Sequence, residues 1–431
     1  MIIFLKNAKV LSKSCDGMFD LLLNNGIIEK IFSCEDTPDS LVYDECIDLN
    51  GKTLIPGIID MHVHLREPGY EYKETIESGL KAAVKGGVTT VGVMPNTDPV
   101  IDNEYLVEYL KMKSELYGLS EILPIGAVTK KSQGVELAPM INMAKRGAIA
   151  FSDDGNPVEN AHIMLKALEY YKMTNKPIIN HAEVKELSKT GFMREGEYSN
   201  FYGIYGIPSV AESIMVARDI ELAKYTDAHV HIAHVSTQES LNLIKNAKKD
   251  GVKVSCEVTH NHLIFTDKDL KDYSTSFKVN PPLADEKSRN TFIQALKDDL
   301  IDIIVTDHAP HADYEKEVEF QNAPNGISGL DTLLSSLLKL SIEEDISLKK
   351  LIEKVTYYPT KIFNLEKKGD IKEGYFADLV ILNENETWNV NNKTVFSKGK
   401  NTPFMGMDLP GVVEYTFIKG KKVYSKEDVL V

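Results

Sequence analysis

Two histidines stand one residue apart in the stretch "GIIDMHVHLREPG" (57–69), His62 and His64, and Arg66 follows two positions later. Imidazole nitrogens suit Zn²⁺ and related divalent ions, and residues two apart on a strand face the same side, so the pair can form half of a metal site. Further segments end in residues of the same chemistry: Asp153 in "FSDDG", His181 in "NHA", His234 in "HIAHVS" and Asp307 in "VTDHAPH". A lone His-x-His pair is commonplace, whereas ligands arriving at corresponding strand ends from several segments point to a metal centre. A carboxylate between two ions balances charge and holds them close enough to share one hydroxide. Asp153 and Asp154 are adjacent, and successive strand residues face opposite ways, so we expect Asp153 to enter the site and Asp154 to anchor the glycine turn. Asp307 can serve both as ligand and as the catalytic proton carrier.

The sequence holds its own comparison. "HVHIAHVS" contains a second His-x-His pair, His229 and His231, at the start of its strand, where a structural role is expected. His162 lies in a helical segment without a partner pattern. His260 and His262 in "EVTHNHL" follow a strand end and read as supporting residues. On the substrate side, Arg66 offers a planar guanidinium to a carboxylate. Asn96 in "MPNTDP" and Asn280 in "KVNPPL" offer amides that both donate and accept. His311 pairs with the substrate carboxylate or caps its loop.

These residues must be carried by a scaffold that gathers strand ends. The middle of the chain yields eight candidate strands, "GIIDMHVH", "VTTVGVMP", "EILPIGAV", "AIAFSDD", "PIINHA", "HVHIAHVS", "VKVSCEVT" and "IDIIVTDH", separated by helical patterns. This predicts an α/β fold, a (β/α)8 TIM-type barrel over 56–365 whose active residues lie where strands end. Short β-rich pieces at both ends predict a small composite β-sandwich from 1–55 and 366–431, with Asn25-Gly26 and Asn50-Gly51 marking hairpins. No glycine-rich phosphate loop follows the first barrel strand, which removes support for a dinucleotide-binding sheet.

The 431-residue chain, 43% hydrophobic and 26% charged, has an ordinary globular composition. Its net charge of −15 argues against nucleic acid or an anionic membrane as a main partner. Cys15, Cys34, Cys46 and Cys256 show no CxxC spacing, and no apolar run reaches membrane-spanning length, which together fit a reducing cytoplasm. The segment "HADYEKEVEFQNAPNG" after the eighth strand is a candidate lid by length and polarity.

In order along the chain, "GIIDMHVHLREPGYEYKETIESG", "GGVTTVGVMPNTDP", "FSDDG", "NHAE", "GIPSVAESIMVARDI", "HIAHVST", "KVNPPL", "TDHAPH" and "GISGLDT" resemble the amidohydrolase superfamily and, within it, the type I bacterial dihydroorotases. The resemblance implies two zinc ions, with other divalent ions compatible, held by counterparts of His62, His64 and Asp307 on one side and His181 and His234 on the other. Asp153 matches the bridging carboxylate. It implies reversible hydrolysis of dihydroorotate, a small anionic cyclic amide, in pyrimidine biosynthesis, by a homodimer or alongside a partner enzyme of that pathway. "EVTHNHL" stands where a proline-histidine-histidine arrangement is more usual, and Asn325 where an aromatic residue is common. The alternatives are a hydantoinase- or allantoinase-type enzyme, or an inactive dihydroorotase-like subunit.

Overall fold

Eight short parallel strands run in sequence order around one sheet: Ile58–Val63, Val88–Val93, Glu121–Gly126, Ala150–Ser152, Ile178–Asn180, Val230–Ile232, Val254–Thr259 and Ile303–Val305. They are the eight segments expected from the sequence, seen here in a computed structural model that describes residues 1–38, 40–426 and 428–429. Parallel strands covered by helices are buried on both faces and therefore read as nearly continuous apolar runs. Every residue of Ile58–Val63, Val88–Val93 and Val254–Thr259 is buried accordingly. Beneath the strand ends, Ile59, Met61, Ile125, Ile179, Ile303 and Phe363 pack into one apolar layer. That layer forms the floor on which the polar residues stand.

The first and last strands approach each other without forming a full ladder. Val63 and His308 make a single parallel bridge, with the His64 N–H donating to the His308 carbonyl at 2.8 Å. Beside it the buried Asp60 carboxylate accepts the Thr306 N–H at 3.1 Å, the Thr306 hydroxyl and the His62 N–H at 3.3 Å. Burial pushes the Asp60 carboxyl up to about 6, against the donors from Thr306 and His62. A side-chain carboxylate thus closes the barrel where backbone pairing runs out.

Helices cover the outside. Ile76–Lys85 illustrates the local code: Thr75 caps the start by accepting the Ser78 N–H, the Ser78 hydroxyl returns a bond to the Thr75 N–H, and Ile76, Leu80, Ala83 and Val84 face inward. Among the described residues no helix is long and apolar enough to cross a membrane.

Both ends of the chain meet in one nine-stranded mixed sheet. Ile2–Leu11, Asp16–Asn24, Ile27–Ser33, Glu45–Asp48 and Thr53–Pro56 supply one half, and Leu379–Asn389, Asp408–Ile418, Lys421–Ser425 and Asp428–Val429 the other. The halves join where Thr53–Pro56 runs antiparallel to Leu379–Asn389, around a core containing Leu5, Leu21, Leu54, Ile381 and Phe417. Asn25 and Gly26, at φ 48° and 83°, make the expected hairpin turn. The second Asn-Gly pair behaves differently. Asn50 and Gly51 also take positive φ, but the strands on either side both run parallel to Ile2–Leu11, so the turn kinks the chain without reversing it. The Gly51 N–H donates to the Asn7 carbonyl, at a matching irregularity in the first strand.

Gly57 links the terminal sheet to the first barrel strand, its N–H donating to the Asp378 carbonyl at 2.7 Å. A Cβ there would meet Thr89 Oγ1 at 2.1 Å and Thr89 Cγ2 at 2.5 Å. We expect Gly57→Ala to cost about 1–3 kcal/mol by overpacking, measured as a fall in the denaturation midpoint. A midpoint unchanged from wild type would show that Thr89 moves aside freely.

Candidate metal and substrate site

At the C-terminal ends of the strands, His62 and His64 from the first, His181 from the fifth, His234 from the sixth and Asp307 from the eighth converge, all of them buried. His64 Nε2 lies 3.1 Å from Asp307 Oδ1, and His62 Nε2 lies 3.4 Å from the same oxygen. Ligand atoms of His62, His64 and Asp307 lie within 4.8 Å of one another, as do those of His62, Asp154 and His234. His234 and Asp307 take positive φ, 28° and 48°, so the backbone bends sharply as these strands give way to loops.

The carboxylate among the imidazoles belongs to Asp154, not to the expected Asp153. Asp154 Oδ1 is 3.4 Å from His62 Nε2, 3.7 Å from His181 Nδ1 and 3.6 Å from His234 Nε2, while its Oδ2 is 3.4 Å from His64 Nε2. Asp153 turns the other way. Its Oδ1 accepts the N–H groups of Val128 and Thr129 at 2.8 and 3.0 Å, and its Oδ2 accepts the Thr129 hydroxyl. The alternation argument correctly allowed only one of the pair, but the strand ends at Ser152, so both aspartates lie past the regular pleat and strand parity does not choose between them.

A cation suits this cluster. His62 Nε2 and Asp154 Oδ1 are buried and lack a hydrogen-bond partner. His181 Nδ1 and His234 Nε2 face each other at 2.8 Å, a contact between two lone pairs unless a proton or a metal ion lies at that place. The charges answer one another in the same sense. Burial pushes the Asp154 carboxyl up, but positive charge on the surrounding imidazoles, His62 first, holds it well below the carboxylate range, and a metal ion would answer it in the same way. For Asp307, too, burial is outweighed by the charge of His62 and the hydrogen bond from His64.

Above the cluster is a cavity of about 170 Å³ lined by His64, Arg66, Asn96, Asp154, Asn280 and Asp307, with Asn325 and Gly326 at its rim. An amidohydrolase family model matches residues 53–423. The chain belongs to the amidohydrolase family. It is 44% identical over 430 residues to the dihydroorotase of Syntrophus aciditrophicus, covering 99% of this chain and all of that one. To the dihydroorotase of Caldanaerobacter subterraneus it is 45% identical over 408 residues, covering 94% and 93% of the two chains. In fold it is similar to L-hydantoinase from Arthrobacter aurescens, with a TM-score of 0.88 and 24% identity over all of this chain and 97% of that one. A D-hydantoinase from Thermus sp. gives 0.81 and 23%, over 99% of this chain and 96% of the other.

In this amidohydrolase the outer nitrogens of three imidazoles are tied to acceptors, which turns the other nitrogens toward the cluster. His62 Nδ1 lies 2.5 Å from Glu257 Oε1, His64 Nδ1 lies 2.8 Å from Asn96 Oδ1, and His181 Nε2 lies 3.1 Å from Glu183 Oε2. Asn96 therefore spends its carbonyl on His64 and keeps its amide nitrogen. Asn280 approaches Glu183 Oε2 and His181 Nε2, each at 3.3 Å. Glu257 and Glu183 escaped the sequence reading. An acidic residue inside the apolar strand "VKVSCEVT", and one two positions past His181, were the available signals.

Arg66 is half-buried at φ 63°, its Nε donating to the Pro310 carbonyl at 3.1 Å. His311 stands behind it, outside the cavity lining, with Nε2 donating to the Asn325 carbonyl at 2.9 Å and Nδ1 within reach of the Lys73 ammonium. Burial, with the charge of Arg66, pushes His311 down to about 3 and keeps it neutral. His260 bonds Ser336 Oγ and stacks on Phe404, while His262 lies between Thr259 Oγ1 and the Pro281 carbonyl, bracing the loop that carries Asn280. The candidate lid is braced as well. Lys316 Nζ donates to the carbonyls of Thr275 and Pro324, and Lys278 Nζ to those of Gln321 and Ala323. A larger cavity of about 480 Å³ lies around Arg194, Glu239 and Asp285, and no histidine lines it.

The two aspartates separate experimentally. Asp154→Asn removes the charge among the imidazoles, so the purified variant should carry less bound metal than wild type. Asp153→Asn should retain the metal and lose about 1–3 kcal/mol of stability, as a charge-assisted bond is weakened. Equal metal contents in the two variants would contradict this placement.

Proposed function

We propose that this protein is a dihydroorotase, which hydrolyses the ring amide of (S)-dihydroorotate reversibly to N-carbamoyl-L-aspartate in de novo pyrimidine biosynthesis. The observation that carries the reading is the end-to-end likeness to dihydroorotases, 44% identity with the Syntrophus enzyme. The site supports it with an arginine beside an imidazole and carboxylate cluster in a cavity suited to one small ring.

We assign His62, His64 and Asp307 to one divalent ion and His181 and His234 to a second, with Asp154 between them. The imidazole-rich donor set favours zinc, though other divalent ions can occupy such a set. Bound there, the ions supply Lewis acidity toward the amide carbonyl and toward water at neutral pH.

The chain's own residues do the rest. Arg66, its Nε already committed to Pro310, presents its remaining N–H groups to the substrate carboxylate. The free amide nitrogen of Asn96 and the amide of Asn280 hold the ring, and His311 braces the neighbouring loop by donating to the Asn325 carbonyl at 2.9 Å. Asp307, kept ionised, is the general base: it takes a proton from the attacking water as the C–O bond forms. It returns that proton to the ring nitrogen as the C–N bond breaks. Ring closure uses the same groups in reverse. Four cysteines without a disulfide fit a reducing cytoplasm as the setting.

The deciding experiment incubates metal-replete protein with dihydroorotate, dihydrouracil and hydantoin and follows ring opening. We expect dihydroorotate to be preferred and chelation to abolish turnover, with activity restored on adding a divalent ion. A preference for either neutral ring would transfer the assignment to the hydantoinase type. Arg66→Met should raise KM for dihydroorotate at least tenfold, the loss of about 1.4 kcal/mol or more expected for a charge-assisted contact. Unchanged dihydroorotate kinetics in that variant would remove Arg66 from the substrate site.

A further inference from the structure

The second His-x-His pair lies below the cavity, yet it is wired to the cluster. His229 Nε2 is 2.7 Å from Ser255 Oγ, which is 2.7 Å from His231 Nδ1. His231 Nε2 is 3.1 Å from Glu257 Oε2, and the other oxygen of Glu257 is 2.5 Å from His62 Nδ1. Glu257 also accepts the His234 N–H at 3.2 Å. His231 and Glu257 are wholly buried on the adjacent sixth and seventh strands, where His231 lies opposite Ser255 and Glu257 follows two residues on.

One proton arrangement satisfies every member with neutral rings. His229 donates to Ser255, the Ser255 hydroxyl donates to His231 Nδ1, and His231 Nε2–H and His62 Nδ1–H both donate to Glu257. Burial holds His229 down at about 4, so that ring is uncharged. Glu257 cannot rotate without abandoning His231 and the His234 backbone. With a metal ion in place of the His62 Nε2 proton, that nitrogen is left bare and pointed at Asp154 and Asp307.

We infer that Glu257, seated by His231, is a positioning residue for the metal centre: it fixes the tautomer and the aim of His62. The inference rests on the reading of His62 as a metal ligand. Carboxylates behind metal-bound imidazoles contribute about 10–100-fold in metal affinity. Glu257→Gln keeps the shape and one acceptor but loses the charge and the second acceptor. His231→Gln leaves Glu257 in place and loosens its seat.

The test titrates metal against a competing chelator, records the visible spectrum of the Co²⁺-substituted protein, and measures kcat and KM. For Glu257→Gln we expect about 10–100-fold weaker metal binding, a shifted Co²⁺ band, and a fall in kcat with KM for dihydroorotate little changed. His231→Gln should move the same readouts in the same direction by less, and it decides the matter if Glu257→Gln does not fold. Wild-type metal affinity and Co²⁺ spectrum in the folded variants, whatever their thermal stability, would overturn the positioning role. Wild-type protein that binds no metal would overturn the ligand reading of His62 itself, a separate and recognisable result.

Discussion

The first and eighth barrel strands meet along a short seam, Asp60 against Thr306 and Val63 against His308, and the geometry of the site depends on that closure. Residues 62 and 64 are separated from residue 307 by most of the barrel sequence, and only the closed ring brings their side chains within 3.4 Å. Backbone pairing is sparse there, so a buried carboxylate with three donors supplies part of the closure. Burying that charge is costly. The donors from Thr306 and His62 offset much of the cost, and one of them is the backbone of a cluster histidine. Closing the barrel and placing His62 are thus one structural event.

The cluster is held from outside as much as from within. Glu257, Asn96 and Glu183 each accept from an imidazole and fix which nitrogen looks inward. Each acceptor comes from a strand or strand-end loop other than its histidine's, except Glu183, which lies two residues beyond His181. A ligand set organised in this way loses little rotational freedom when it binds an ion.

The eight barrel strands and the β-rich ends were legible in the sequence because burial on both faces and Asn-Gly turns leave local patterns. Hydrophobic periodicity located Ile58–Val63 and Ile303–Val305 correctly but is silent about their sparse pairing, which shows only in three dimensions. The aspartate pair marks the limit of parity arguments: they hold inside a strand and lapse one residue beyond Ser152. His229 and His231 were rightly placed away from the cavity, although position alone did not reveal their link to it through Glu257. His311 illustrates the reverse case, since nearness in sequence to Asp307 put it at the substrate, whereas the fold sets it behind Arg66. The second Asn-Gly pair shows that turns of similar φ can kink or reverse a chain according to what the flanking strands pair with.

Asn401 accepts the His311 N–H and donates to the carbonyls of Ala309 and Gly326. Ser328 leans on the same segment through Gly399. The loop after the eighth barrel strand is therefore clamped by residues that a ribosome delivers about ninety positions later. Until that stretch has been synthesised and the strand Leu379–Asn389 has zipped onto Thr53–Pro56, a nascent chain holds its imidazoles under an unfinished roof. Vectorial synthesis completes the metal-capable residues first and the clamp on the loop after the eighth strand last.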